Sequence, residues 1–248
     1  MNQSFFIGAV GAHQELKRLA VYGNNIANVN TYGFKAEKAR FAALMYDDVK
    51  AIGDEMLPVG VGGALWTTDT DFGQGPVADT GRKQDYMIEG EGFFGVVDLN
   101  TNEVTLTRNG GFMISELMRP TEETDEYGVP VQERVLYLSD AQGRFVLSET
   151  GGMIEVEDFT AKYPIGIFDY INYNGMTHQY DTLVSPVDKN GGLRRGSGKL
   201  IQGCLEQSNT DLAEEFSKMI ETQRAYGLAL KVVQASDEIE TTINGLRS

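Results

Sequence analysis

Cysteine and histidine are nearly missing from this chain: Cys204 is its sole cysteine, and His13 and His178 are its sole histidines. One thiol excludes an intrachain disulfide and any multi-cysteine metal cluster. Two imidazoles are too few for a histidine-rich metal site and leave little material for a Ser-His-Asp or Cys-His arrangement. Positive charge is scarce too, with 21 Lys and Arg against 36 Asp and Glu and a net charge of −15. That balance excludes nucleic acid as an expected partner, because phosphate binding needs clustered cations, and it disfavours an anionic membrane surface for the same reason. No apolar run is long enough to span a bilayer, so no membrane insertion is expected. Met1 to Ser4 lacks the basic stretch and apolar core of a cleaved secretory signal, and composition alone points to the cytoplasm.

The enzyme motifs are missing or broken. There is no Gly-x-Ser-x-Gly elbow and no His-Glu-x-x-His. Residues Gly90 to Gly95 carry the letters of the dinucleotide glycine pattern, but Val96-Val97-Asp98 continues as a strand where phosphate binding needs a helix N-terminus. From Gly192 to Leu200 a P-loop is hinted at, yet the glycine spacing is too long and Leu200 occupies the magnesium-holding Ser/Thr position. Asp69-Thr70-Asp71 begins a calcium loop that has no distal Glu. No catalytic residue, no cofactor and no metal site is therefore expected.

The two ends of the chain are what stand out. Asn209 or Asp211 can cap a helix that runs to the C-terminus, with Asp211, Glu214 and Glu215 where the helix dipole favours negative charge. Leu212, Phe216, Met219, Tyr226, Leu230 and Val233 recur at alternating spacings of four and three, with Gln223 as the one polar step. A second seam, through Ala225, Ala229, Val232, Ile239, Ile243 and Leu246, takes over toward the end. At the other terminus a helix is predicted from about Ser4 to Val29, with Phe5, Ala9, Ala12, Leu16, Leu19, Gly23 and Ile26 on one seam. A shorter N-terminal helix cannot cover two seams of a longer one, and the surplus apolar surface favours self-association.

Between the helices the period changes to that of strands. From about Tyr46 to Gly75 the chain is rich in glycine and reads as a connector, either extended linker or irregular strand. Strands are predicted at Asp85–Ile88, Phe93–Val97, Val104–Thr107, Val135–Leu138, Arg144–Leu147 and Ile165–Phe168, separated by turns rich in Asn, Asp and Gly. Ser115–Arg134, with its many acids and two prolines, reads as a solvated acidic loop. The expected fold is α+β: a mainly β central domain inserted between long N- and C-terminal helices that pair as a coiled coil. The expected division is a terminal helical domain over 1–44 plus 204–248, an extended connector over 45–71 plus 185–203, and an all-β outer domain over 72–184.

Three separated blocks carry a family resemblance in family order. Asn24-Asn25-Ile26-Ala27-Asn28 followed by Thr31-Tyr32-Gly33-Phe34-Lys35 resembles the N-terminal signature of flagellar rod and hook proteins. Ile88 to Phe94, followed by Thr107-Arg108-Asn109-Gly110 and Phe112, is similar to the middle landmark of that family. Gly203 to Asn209, Asp211 to Glu215, Met219-Ile220, Gln223 to Tyr226, Lys231-Val232 and Asp237-Glu238 match its C-terminal landmark. The resemblance implies a structural subunit of the bacterial flagellar basal-body rod, exported without a cleaved signal by the flagellar type III export apparatus. It also implies partners among its own copies and the other axial proteins, with the terminal helices building an inner tube and the β domain an outer layer. On that reading the assembly interface is formed by Phe5, Ala9, Ala12, Leu16, Leu19, Ile26, Leu212, Phe216, Met219, Ile220, Tyr226, Leu230, Val233, Ile239, Ile243 and Leu246. Asn24, Asn25, Asn28, Gly33 and Phe34 form the family's turn motif. The alternatives are a hook-type subunit, or a monomeric β-domain module binding cell-wall glycan through Tyr163, Tyr170, Tyr173 and Tyr180.

Overall fold

The computed structural model describes residues 3–43, 46–50, 56–60, 63–124, 130–159, 161–180 and 182–246. The chain divides into two compact units, one made of Met1–Val29, Ala36–Asp71 and Thr210–Ser248, the other of Asn30–Lys35 and Phe72–Asn209.

The first unit contains the two long helices, α1 (Gln3–Ala27) and α2 (Leu212–Leu246), together with β1 (Glu37–Ala43), β2 (Tyr46–Lys50), β3 (Met56–Gly60) and β4 (Gly63–Thr70). Asp211 is the residue that caps α2: its Oδ1 accepts the backbone N–H of Ala213 at 2.9 Å and of Glu214 at 3.2 Å. These are two of the donors that a helix start leaves without intrahelical partners. α1 ends at Ala27, where the asparagines begin to divert hydrogen bonds from the helix ladder. The helices pack on each other in antiparallel sense, since Gly8 abuts Val233 and Ala229, Tyr22 lies against Lys218, and Asn25 meets Glu215. Small residues bring the axes together: a Cβ on Gly8 would stand 3.0 Å from the Val233 side chain. The described part of the chain after α1 is largely strand, with β1 pairing β4 and β2 pairing β3, both antiparallel; residues 45, 51–55 and 61–62 of the expected connector lie outside the described residues. β4 meets α1 through Gln14, whose Oε1 accepts the Leu65 N–H at 2.9 Å, and β1 meets it through Phe41, whose ring lies under the Arg18 guanidinium.

The second unit is mainly β. It holds β5 (Val77–Asp79), β6 (Tyr86–Glu89), β7 (Phe93–Asp98), β8 (Glu103–Thr107), β9 (Met113–Thr124), β10 (Pro130–Ser139), β11 (Phe145–Val146), β12 (Ile167–Asp169), β13 (Thr177–Tyr180), β14 (Leu183–Ser185), β15 (Arg194–Arg195), β16 (Lys199–Gln202) and β17 (Cys204–Glu206). The large sheet runs β13-β14-β8-β7-β11-β10-β9, with β12 bridging β7 and β15, and two short ladders join β16 to β6 and β17 to β5. β7 is the central strand and is buried on both faces, as its continuous run Phe93-Phe94-Gly95-Val96-Val97 requires. Phe94 and Val96 enter the main core with Tyr86, Ile88 and Phe112, while Phe93 packs on the other side with Leu106, Tyr170 and Val184. Gly110 is indispensable at this crossing, because a Cβ there would fall 1.7 Å from the Tyr86 carbonyl oxygen.

One expectation is overturned. Ser115–Arg134 is not a solvated loop: its described residues belong to β9 and β10, which pair as an antiparallel ribbon, while residues 125–129 lie outside the described residues. Half-buried Leu117 and Val135 face each other across the ribbon, and on its other face Glu116 is paired with Arg134 at 3.3 Å.

Candidate assembly surface and buried charge cluster

Helix α2 turns unexpected residues toward its own unit. Its buried positions are Glu215, Thr222 and Ser236, spaced in sevens and fourteens, so the stripe packed inside is polar and small. Met219, Tyr226 and Val233 are half-buried beside that stripe. Leu212, Phe216, Ile220, Leu230, Ile239, Ile243 and Leu246 are exposed, by between 38% and 83%. In α1, Ala12 is buried, Ala9, Leu19 and Ile26 are half-buried, and Phe5 and Leu16 are exposed. The intrachain contact therefore follows Gly8, Gly11, Ala12, Tyr22 and Asn25, and a large share of the predicted interface residues lie on the open side. The antiparallel register also sets Ile239, Ile243 and Leu246 beyond the first described turn of α1, which begins at Gln3.

The polar stripe is well satisfied at its Asn25 end. Asn25 is fully buried; its amide donates to the Glu37 carbonyl at 2.8 Å and to Glu215 Oε2 at 3.0 Å, while its Oδ1 accepts the Glu37 N–H at 2.9 Å. The side chain thus acts as a strand neighbour for the first residue of β1. Asn28 donates to the Asn24 carbonyl at 3.1 Å and to Asn24 Oδ1 at 3.0 Å, closing the helix end. Lys218 bonds Glu214 at 2.8 Å and Glu215 at 3.1 Å. Burial works against its ammonium, but the two carboxylates outweigh that effect and hold its pKa above the ordinary lysine value.

In the second unit the remaining turn-motif residues build a different feature. Gly33 has φ +72°, donates its N–H to the Glu206 carbonyl at 2.8 Å, and sits so close to Asn109 that a Cβ would lie 2.3 Å from the Asn109 nitrogen. Phe34 is buried beside it, and Lys35 follows with only 3% of its side chain exposed. Lys35 Nζ meets Glu206 Oε1 at 2.5 Å and the Gly73 carbonyl at 2.7 Å. Arg108 donates to Glu206 Oε2 at 3.2 Å and to the Gly90 carbonyl at 2.8 Å, with its guanidinium over the Phe93 ring. The Gly75 N–H adds a third donor to Glu206 at 2.8 Å. One carboxylate thus holds two buried cations, and the three separated sequence blocks meet on it. In the sequence Lys35, Arg108 and Glu206 are only letters of those blocks, and nothing in their spacing along the chain foretells the contact.

The aromatic residues of the alternative reading are committed elsewhere. Tyr163 and Tyr170 are buried, and Tyr173 donates its hydroxyl to Asp169 Oδ1 at 2.5 Å while packing against Phe72 and Phe93. The Tyr180 side chain lies outside the described residues. Among the described residues no cluster of His, Cys, Asp and Glu could hold a metal ion, and no helix is long and apolar enough to cross a membrane.

Comparison with known proteins agrees with this geometry. Residues 7–35 match the family described as flagella basal body rod protein, and residues 201–246 match the C-terminal region of the flagellar basal body rod FlgEFG proteins. The chain is 30% identical over 271 aligned positions to the flagellar basal-body rod protein FlgG of Borreliella burgdorferi, covering 100% of this chain and 99% of the relative. It is 29% identical to FlgG of Buchnera aphidicola subsp. Schizaphis graminum, covering 96% and 97%, respectively. It is 27% identical to the rod protein FlgF of Caulobacter vibrioides, covering 96% and 95%. Its two helical ends and full-length similarity place the chain in the flagellar basal-body rod protein family, as a structural subunit of the rod and not an enzyme.

Proposed function

We propose that the chain assembles with its own copies and with other axial proteins through the open faces of α1 and α2, the helices lining a tubular shaft around the export channel. Two observations support this: Phe216 and Ile220 are exposed beside the buried Glu215 and Thr222, and Ile239, Ile243 and Leu246 are exposed past the first described turn of α1. Exposed apolar residues at spacings of three and four on a helix are a surface for another helix. Copies adding head to tail without closing a ring give a filament, and no chemistry is asked of it. The chain reaches the shaft through the flagellar type III export apparatus.

The test is the double variant Ile239→Glu/Ile243→Glu. Both side chains are exposed in the free chain, so its stability should stay within about 0.5 kcal/mol of the parent. Tagged variant should be missing from isolated basal bodies that contain the tagged parent. Normal incorporation would argue against assembly through this face.

A further inference from the structure

Two surface features lie at opposite ends of β7. At one end is a cleft of about 330 Å³ in the second unit, lined by Glu149, Lys162, Pro164 and Arg195, with Ile167 and Leu200 at its apolar base. Its walls are firmly placed. Gly196 donates its N–H to the Ile167 carbonyl at 2.8 Å, and a Cβ at Gly198 would come within 2.4 Å of the Ile88 side chain. Arg195 and Glu149 neutralise each other across the opening. Lys162 is exposed and joins no ion pair among the described residues, so it is the uncompensated charge of the cleft in a chain of net charge −15.

The other feature is the β7–β8 turn. Leu99 is 44% and Val104 42% exposed, and Asp98 and Glu103 flank them. The turn is preset: Asp98 Oδ1 accepts the Asn100 N–H at 2.8 Å, and Asn102 holds a left-handed φ of 56°. Leu99 on this turn, with the Asp98 and Glu103 carboxylates at its base, complements a cleft that has Ile167 and Leu200 in its lining and a lysine with no ion pair among the described residues at its border, and a preset turn loses little entropy on docking.

Strand geometry excludes docking within one chain. Asp98 pairs with Glu103 at one end of β7, whereas Phe94 pairs with Ile167, the cleft base, near the other. With a rise of about 3.3 Å per residue, most of the strand's length separates them. We propose that the Asp98–Val104 turn of one copy seats in the Lys162 cleft of the next, with Glu103 facing Lys162 and Leu99 against Ile167 and Leu200. The contact is heterologous and does not close on itself, as growth of a shaft needs. It rests on the assembly reading above.

The test begins from Cys204→Ser, so that only engineered thiols are present. Leu99→Cys and Lys162→Cys are placed on separate chains, co-expressed in flagellated cells, and basal bodies carrying both are treated with a short thiol cross-linker. A covalent dimer that forms only when both variants are present is the expected result. Both variants in basal bodies with no dimer, or the same dimer from either alone, would overturn this contact and leave the assembly reading standing. Absence of the unsubstituted chain from basal bodies would overturn both. A charge swap gives a second readout: Lys162→Glu should lower incorporation and Glu103→Lys in the same chain should restore it. An inert Lys162→Glu, or a double variant that stays defective, would also refute the pairing.

Discussion

Replacing Glu206 by Gln removes the carboxylate that meets both Lys35 and Arg108. Volume is nearly unchanged, and the new amide can still accept the Gly75 N–H. Both cations are left in place: Lys35 is 3% and Arg108 6% exposed, so neither can turn to solvent without moving backbone. Breaking a buried ion pair from one side costs about 3–5 kcal/mol, mostly the penalty of the stranded charge. In a chain of this size that lowers the melting temperature by on the order of 10 °C. Urea and thermal unfolding of the purified chain, followed by circular dichroism, measure the loss. Lys35→Met in the same background removes one stranded cation and should recover more than about 1 kcal/mol, a coupling that a double-mutant cycle isolates. A loss below about 1 kcal/mol for Glu206→Gln, or strictly additive variants, would refute the view that this carboxylate holds the three sequence blocks together.

Gly33→Ala should cost about 1–2 kcal/mol from the left-handed backbone alone, and more from the overlap with Asn109; stability equal to the parent would mean that the turn is free to rearrange. Asn25→Asp strips the donors serving Glu37 and Glu215 and sets a second carboxylate beside Glu215, for an expected loss of about 3 kcal/mol; an unchanged unfolding midpoint would show that the α1–β1 junction is not held by this side chain. Alkaline pH should unfold the β unit. Tyr86, Tyr163, Tyr170 and Tyr173 all titrate above the ordinary 10.0 because burial penalises the phenolate, with Asp169 adding to the effect at Tyr173. A raised pKa on an acid means that folding favours its neutral form. The associated stability is complete below pH 10.0 and is lost as pH rises through the folded values. Phenolate absorbance should therefore rise together with loss of circular dichroism, and ionisation of all tyrosines near pH 10.0 with the fold intact would contradict the burial assignment.

The helices and the core strands of the β unit were legible because their signals are local. A seam of threes and fours and the cap at Asp211 define α2, and the apolar run from Phe93 to Val97 defines a buried strand. What periodicity left open was which stripe faces which neighbour. Phe216 and Glu215 are adjacent, and only packing decides that the acid turns inward to Asn25 while the phenyl ring turns outward. The ribbon of β9 and β10 was hidden because acids and prolines are usually loop formers, and the cross-strand contacts of Leu117 with Val135 cannot be seen from composition. The charge cluster was hidden for a related reason. Lys35, Arg108 and Glu206 are far apart in sequence, and no local rule reports that they share one buried pocket.

The most direct test of the account is amide hydrogen exchange over α2, measured on the purified free chain and on the same chain in isolated basal bodies. With no described residue of α1 opposite its end, the segment around Ile239, Ile243 and Leu246 should exchange fast in the free chain and become strongly protected in the assembly. Equal protection in both, or persistent fast exchange in basal bodies that contain the chain, would contradict assembly through the open face of this helix.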